Sequence, residues 1–136
     1  MTTSSQAVEV IRDGVIHPAT ISWGWEDGGW VVSIASAALD GAEARADDAF
    51  EALCLLREEL EPLGWRLGVA GAQVDVWPSG MARDQGGGRI AYRLAATGVT
   101  GTVGTFEPVD PATVVTVMEQ RAESDRLFEA IRRANG

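Results

Sequence analysis

The segment at residues 78–88 combines a fixed positive charge, an acid and a run of glycines, the residue types from which an anion site can be built. Arg83 can hold a negatively charged group, and the amides of residues 86–88 can approach an anion closely because glycine carries no side chain. Asp84 or Tyr92 could exchange a proton with a bound ligand. The segment is long for a connection between two strands, and long loops often carry function. It is therefore predicted to be a flexible loop that contacts a ligand or a partner.

Ten residues in and beside this segment form the predicted binding site, and no catalytic residue is assigned among them. They are Trp77, Ser79, Met81, Arg83, Asp84, Gly86, Gly87, Gly88, Arg89 and Tyr92. No helix clearly follows the glycines, so the pattern of a phosphate-binding or dinucleotide-binding loop is not met. A flexible glycine hairpin with an Arg83–Asp84 ion pair at its rim would have the same sequence, so a structural role stays open.

The inventory of reactive side chains excludes several kinds of chemistry. The 136-residue chain has no lysine, one histidine (His17) and one cysteine (Cys54). Schiff-base chemistry, a P-loop lysine, an intrachain disulfide and a zinc site of His and Cys ligands are therefore excluded. Cys54 lies on an apolar helix face and is expected to be a buried thiol. We assign no metal and no cofactor, and the inventory favours a protein that is not an enzyme.

The charge of the chain bears on its partners and its compartment. The net charge of −9 at pH 7 disfavours binding to nucleic-acid phosphates. No stretch has the pattern of a signal peptide or of a membrane span, so a cytoplasmic protein is expected. Carboxylates outnumber Arg45 and Arg57 within residues 40–61. This acidic region is either a surface that attracts a basic partner or simply a solvated helix face.

Alternating apolar and polar side chains predict a series of short strands. These lie within residues 8–12, 15–25, 30–35, 65–70, 73–77, 89–95 and 99–106. Asp13-Gly14 predicts a tight hairpin turn, as does the segment 26–29. Residues 65–70 and 73–77 are expected to pair with each other. Residues 36–46 show weak periodicity and are expected to form a loop.

Two helices are predicted from capping residues and helical spacing. The first begins at Asp47 or Asp48 and ends near Pro62, and the second begins after Asp110 and runs to about residue 134. Residues 1–6 are expected to be flexible and residues 7–136 to form one domain. The predicted fold class is α+β, in two layers, with a curved antiparallel sheet of about six strands and two helices packed on one face. The open sheet edges make a homodimer conceivable.

The five tryptophans can serve either the core or a binding surface. Trp23, Trp30 and Trp65 are predicted to fill the core. Trp25 and Trp77 stand at strand ends next to turns, so they are candidates for exposed anchors in a partner interface.

The middle of the chain resembles a group of small bacterial proteins. The similarity rests on residues 56–65, on Gly71-Ala72, and on the run Trp77-Pro-Ser-Gly-Met through Asp84 to the glycines, followed by Tyr92. Those proteins share a helix that ends in glycine, a hairpin, and an aromatic-Pro-Ser-Gly-Met segment that leads to aspartate and glycines. We associate no established activity with the group, so the resemblance implies no catalytic role. It supports the choice of residues 78–88 as the candidate site.

Two functions from different classes follow from these observations. The favoured one is a small acidic cytosolic protein that acts as a non-enzymatic protein-interaction module, as immunity and adaptor proteins do, with a protein partner that is basic. The alternative is a domain that binds a small anionic ligand, or a minor enzyme, through the glycine-rich segment 78–88. The alternative requires a concave site lined by Arg83 and Tyr92.

Overall fold

Five antiparallel strands form the larger sheet of the computed structural model, which describes residues 3–135. The strands are β1 (Thr3–Arg12), β2 (Val15–Glu26), β3 (Gly29–Ser36), β4 (Leu39–Ala46) and β5 (Arg66–Leu67), in the spatial order β4-β3-β2-β1-β5. The Asp13-Gly14 turn is confirmed, with positive φ angles of 53° and 76°. Asp27 and Gly28 repeat this geometry at the next turn. Both pairs suit a hairpin turn that requires positive φ at two positions.

Two segments predicted to lack regular structure are strands. Residues 3–6, expected to be flexible, pair with β2 as part of β1, whereas residues 1 and 2 lie outside the described part of the chain. The predicted loop at 36–46 contains β4, which pairs with β3. Its inward side chains are the small alanines Ala42, Ala44 and Ala46, which pack against the core. Because alanine contributes little to a hydrophobic pattern, the alternation is weak in the sequence.

A smaller sheet contains β6 (Val76–Trp77), β7 (Ile90–Ala95) and β8 (Gly98–Gly104), in the order β6-β7-β8. The predicted hairpin between 65–70 and 73–77 is wrong, because β5 pairs with β1 and β6 pairs with β7. The chain between them forms a 3-10 turn at Ala70–Ala72. The α+β class is confirmed, but its strands are divided between two sheets.

Three α-helices complete the fold: α1 (Ala49–Leu60), α2 (Gly80–Gly86) and α3 (Val117–Asn135). Asp48 caps α1 as predicted, since its carboxylate accepts a hydrogen bond of 2.8 Å from the Glu51 amide. No helix in the part of the chain between Thr3 and Asn135 is both long and apolar enough to cross a membrane.

The helix predicted to start after Asp110 starts later, at Val117. Asp110 caps only a 3-10 turn at Pro111–Thr113, and the backbone then becomes extended at Val114, which bridges to Gln73. The true start is a capping box. The Thr116 hydroxyl accepts from the Glu119 amide, and the Glu119 carboxylate accepts from the Thr116 amide, both at 3.1 Å.

The main core lies between α1 and the inner face of the larger sheet. Leu53 and Leu56 from α1 meet strand side chains such as Val10, Ile21 and Val32, and all of them are fully buried. Burial of each large aliphatic side chain contributes about 1.5–3 kcal/mol, which holds helix and sheet together. α3 lies against α1 and the smaller sheet, so the two long helices do not share one sheet face.

Candidate functional site

The predicted loop at 78–88 is wrong in its central part, because Gly80–Gly86 form α2. Ser79 caps this helix by accepting a 2.9 Å hydrogen bond from the Ala82 amide. Gly87 ends it in the left-handed conformation, and the Gly88 amide donates to the Ala82 carbonyl at 3.0 Å. Serine before and glycine after the segment are helix start and stop signals, although seven residues are too few for a clear hydrophobic stripe.

Gly87 and Gly88 bring this segment into close contact with α1 and β3. A Cβ atom on Gly87 would lie 2.4 Å from the Trp30 ring, and one on Gly88 would lie 2.6 Å from an Asp48 carboxylate oxygen. The Ala49 amide donates to the Gly87 carbonyl at 2.7 Å. The glycines therefore allow a close approach of two backbones, and their polar groups have partners within the chain.

Arg83 joins α2 to the start of α1. Its guanidinium lies 3.2 Å from the Asp48 carboxylate and 3.4 Å from that of Glu51, so its acidic partners are not the neighbouring Asp84. It also lies over the rings of Phe50 and Trp77, at 5.2 and 5.6 Å from their centres. The arrangement gives Arg83 a structural task at the junction of the two helices.

The structure brings together only part of the predicted site. Trp77 and Tyr92 are cross-strand neighbours on β6 and β7, and Arg83 lies over the Trp77 ring. Met81 is 68% exposed on α2. Arg89 lies apart, over the Trp30 ring, and lines a different groove.

A wide groove of about 760 Å³ lies between the C-terminal half of α1 and the first turns of α3. We call it the α1/α3 groove. Its lining residues are Glu58, Glu61, Pro62, Thr116, Val117, Met118, Arg121, Ala122 and Asp125. Met118 is 82% exposed, the largest exposure among the bulky hydrophobic side chains of residues 3–135. Glu58 from α1 and Asp125 from α3 add carboxylates to the lining of the same groove.

The groove connects to the predicted site through Arg121. The guanidinium of this α3 residue lies 5.8 Å from the centre of the Trp77 ring, on which Arg83 also rests. Trp77 is partly buried and packs edge-on against Phe50, with ring centres 5.1 Å apart. The sequence contains no local signal for the groove, because Met118 and Asp125 are distant in sequence from the acidic region at 40–61.

A buried polar network sets the position of α3 along the groove. Arg57 is 1% exposed and donates to the Gln120 side-chain oxygen at 2.5 Å and to the Val115 carbonyl at 2.7 Å. Gln120 in turn donates to the carbonyls of Gly71 and Val76. Burial lowers the pKa of the Arg57 guanidinium from its ordinary value. Its charge is offset by the Glu61 carboxylate, 3.5 Å away.

Glu61 has a second task, which is to cap α3 from outside that helix. Its two carboxylate oxygens accept from the Val117 amide at 3.1 and 3.2 Å. An acid at the positive end of a helix dipole is favourable. The Glu61 carboxylate thus connects α1 to α3, because it contacts both Arg57 of α1 and the first amide of α3.

The acidic region at 40–61 is divided in the folded protein. Asp40 and Glu43 lie on β4, Asp48 is buried as a cap, and only Glu58 and Glu59 remain exposed on the late turns of α1. The carboxylates that face the groove come from α1 and α3 together. Charge runs in sequence therefore do not correspond to one continuous surface here.

Burial of the Cys54 thiol raises its pKa from 9.0 to about 11, although Arg57 partly opposes the rise. In the unfolded chain the thiol ionises near its ordinary pKa, so the folded state holds the proton over a range in which the unfolded state has lost it. The free energy of unfolding should therefore fall between pH 9 and about 11. Folded protein should react with a thiol reagent only as fast as it opens. Rapid labelling of the native protein at mildly alkaline pH would contradict the buried position.

The tryptophans follow the predicted division in part. Trp65 is buried, Trp23 and Trp30 are partly buried against the core, and Trp25 is exposed and packs at an angle against Trp30.

Between Thr3 and Asn135, no three His, Cys, Asp or Glu side chains are grouped to hold a metal ion. No protein-family model matches the chain, and no curated protein is significantly similar to it.

Proposed function

We propose that the protein is a non-enzymatic interaction module whose α1/α3 groove binds a basic segment of a protein partner. The observation that carries the proposal is the exposed Met118 side chain, which stands in a groove with carboxylates of Glu58 and Asp125 at its rim. Methionine is enriched at protein interfaces, and charges around it select the partner and accelerate its approach.

The chemistry of the groove defines the partner. Val117, Met118, Ala122 and Pro62 offer an apolar floor, while the overall charge of −9 favours a positively charged surface. A segment that presents an aliphatic side chain beside lysine or arginine residues fits this combination. The groove thus supports an adaptor-like or immunity-like role in the cytoplasm, where the buried Cys54 would remain a thiol.

The predicted residues at the end of the groove extend the proposed surface. Arg121 lies over the Trp77 ring, and Arg83 forms an ion pair with Asp48 at the start of α1. Met81 and Asp84 are exposed on the adjoining α2. The alternative, an anion-binding domain or minor enzyme, has less support because Arg83 and the Gly88 amide already have partners within the chain.

The test is affinity capture from native lysate with wild-type protein and groove variants, followed by titration with the purified partner. A stoichiometric partner should be retained at low salt and lost as salt rises, because ion pairs at the rim are screened. Met118→Ser and Glu58→Arg should each weaken binding by about tenfold or more, which corresponds to roughly 1.4 kcal/mol.

Val15→Ser is the matched control, since it removes an exposed aliphatic side chain at the start of β2 that does not line the groove. It should bind like wild type. A partner that all three variants retain equally would place the interface elsewhere, and the absence of any stoichiometric partner would refute the interaction function.

A further inference from the structure

Among residues 3–135, no strand pairs with most of the β1 edge that faces away from β2. β1 pairs with β2 from Thr3 to Arg12, but with β5 only at Val10 and Ile11. The Gly68 amide donates to the Glu9 carbonyl, so the backbone groups of Glu9 point away from β2. Because strand geometry repeats every second residue, those of Ala7, Ser5 and Thr3 point the same way. The Ala7 carbonyl accepts a 3.3 Å hydrogen bond from the exposed Gln6 side chain, which an added strand would displace. This row of amides and carbonyls has the spacing of another extended chain.

The open edge of β1 lacks the usual protection against strand pairing. Residues 3–7 include no charged residue and no proline. By contrast, the outer strand β4 at the opposite edge carries Asp40, Glu43 and Arg45, and its pairing shifts register near Ser36. Charges and irregular pairing are the devices by which proteins block unwanted strand addition. The β4 edge of the sheet is therefore protected against strand pairing, whereas residues 3–7 of β1 are not.

A groove of about 510 Å³ runs beside this edge, between the two sheets. Its floor includes Trp23 stacked on Phe106, with ring centres 4.3 Å apart, and Ile90, which is 49% exposed. Trp23 is the cross-strand partner of Ser4, so it lies next to β1 on the groove side. A strand added to β1 would place every second side chain over this aromatic floor.

The charges around the edge indicate the occupant. Glu107 lines the groove, and Glu9 and Asp110 line the adjoining hollow along β1. The basic side chain among the lining residues of these two hollows is that of Arg89. Arg89 is itself engaged, as its side chain donates to the Gly86 carbonyl at 2.9 Å. A second copy of this chain would bring the same acidic rim and no complementary charge. An extended segment that carries basic residues would supply it.

We propose that the β1 edge binds an extended segment of a partner protein by strand addition, with alternate apolar side chains over Trp23 and Phe106 and basic side chains beside Glu9 and Glu107. This site is separate from the α1/α3 groove and does not depend on it. Main-chain hydrogen bonds to Ser5 and Ala7 would hold the segment, and the aromatic floor would select its side chains.

The probe is a fluorescently labelled peptide of alternating lysine and valine, with a glutamate–valine peptide as its charge control. Ser5→Pro removes an outward amide without removing a β1–β2 hydrogen bond, and Ser5→Ala keeps that amide. Affinity for the lysine–valine peptide should fall by about tenfold in Ser5→Pro and stay within about twofold in Ser5→Ala. Met118→Ser should bind this peptide like wild type, so failure of the groove proposal and failure of this one are distinguishable.

Hydrogen exchange on the wild-type chain tests the same contact without a variant that could disturb folding. The Ser5 and Ala7 amides should exchange rapidly in the free protein and about tenfold more slowly with saturating peptide. Equal affinity for Ser5→Pro and wild type, or unchanged exchange at these amides, would overturn the proposal. So would protection that grows with protein concentration in the absence of peptide, because it would show that a second copy occupies the edge.

Discussion

Replacing Arg57 with methionine should lower the free energy of unfolding by roughly 3–5 kcal/mol, the cost of removing one partner from a buried ionic network. The substitution removes both donors to Gln120 and Val115 and leaves these acceptors without their partner inside the protein. It also leaves Glu61 without its cation. Methionine retains much of the side-chain volume, so the loss reports the polar groups rather than a cavity. Urea unfolding with an unchanged m-value measures it.

The matched control is Arg126→Met, in which the same change is made on the exposed surface of α3. Arg126 pairs with Glu123 at 2.6 Å, but its side chain is mostly in solvent, so stability should hardly change. If Arg57→Met destabilised no more than Arg126→Met, the buried network would not hold α3 in place. In that case the position of Met118 relative to α1 would need another explanation.

Gly88→Ala should destabilise the protein by roughly 2–4 kcal/mol, because it combines backbone strain with a steric clash. Gly88 has a φ of +73°, which L side chains rarely adopt. A Cβ atom would lie 2.6 Å from an Asp48 oxygen and 2.8 Å from the Phe50 amide nitrogen, both at the start of α1. Neither neighbour is the end of a flexible side chain that could move aside, since Asp48 is held as the helix cap. Thermal and urea unfolding both measure the loss.

Gly86→Ala is the control within the same run of glycines. Gly86 lies in the last turn of α2, and a Cβ atom there would meet open space, with no other atom within 4 Å. The substitution should therefore raise stability by up to about 1 kcal/mol through better helix propensity. An anion cradle made of flexible glycines would give another result, in which both substitutions leave stability unchanged and affect ligand binding. Opposite effects on stability would assign Gly88, and not Gly86, to the contact with α1.

Local sequence signals locate the elements that depend on neighbours in the chain. The sequence correctly identifies Asp48 as the cap of α1 and Asp13-Gly14 as a hairpin turn. Both rely on contacts within a few residues. Asp110 shows the limit of such signals, because an equally good cap there begins only one 3-10 turn before Val114 pairs with Gln73. The β-branched run at residues 113–116 has low helix propensity, and the contact between Val114 and Gln73 keeps the backbone extended there.

The candidate site is predictable only in fragments. The segment around Arg83 stands out by its composition, yet its role depends on Asp48 and Glu51, more than thirty positions earlier. Met118 gives no signal, because an apolar residue near a helix start is most often buried. Its exposure results from the way Gln120 turns towards Arg57 and the smaller sheet, because Met118 lies two residues earlier and therefore on the opposite side of the helix.

Residue types and short spacings are enough to predict the α+β class, the acidic charge, the small number of catalytic groups and most turns. Long-range packing, in contrast, divides the strands between two sheets, leaves part of the β1 edge without a strand partner among residues 3–135, and brings carboxylates from α1 and α3 to the groove that Met118 lines. Pairing between distant strands and helices depends on burial and hydrogen bonds summed over the whole fold, and these long-range terms leave little trace in the pattern of any one segment.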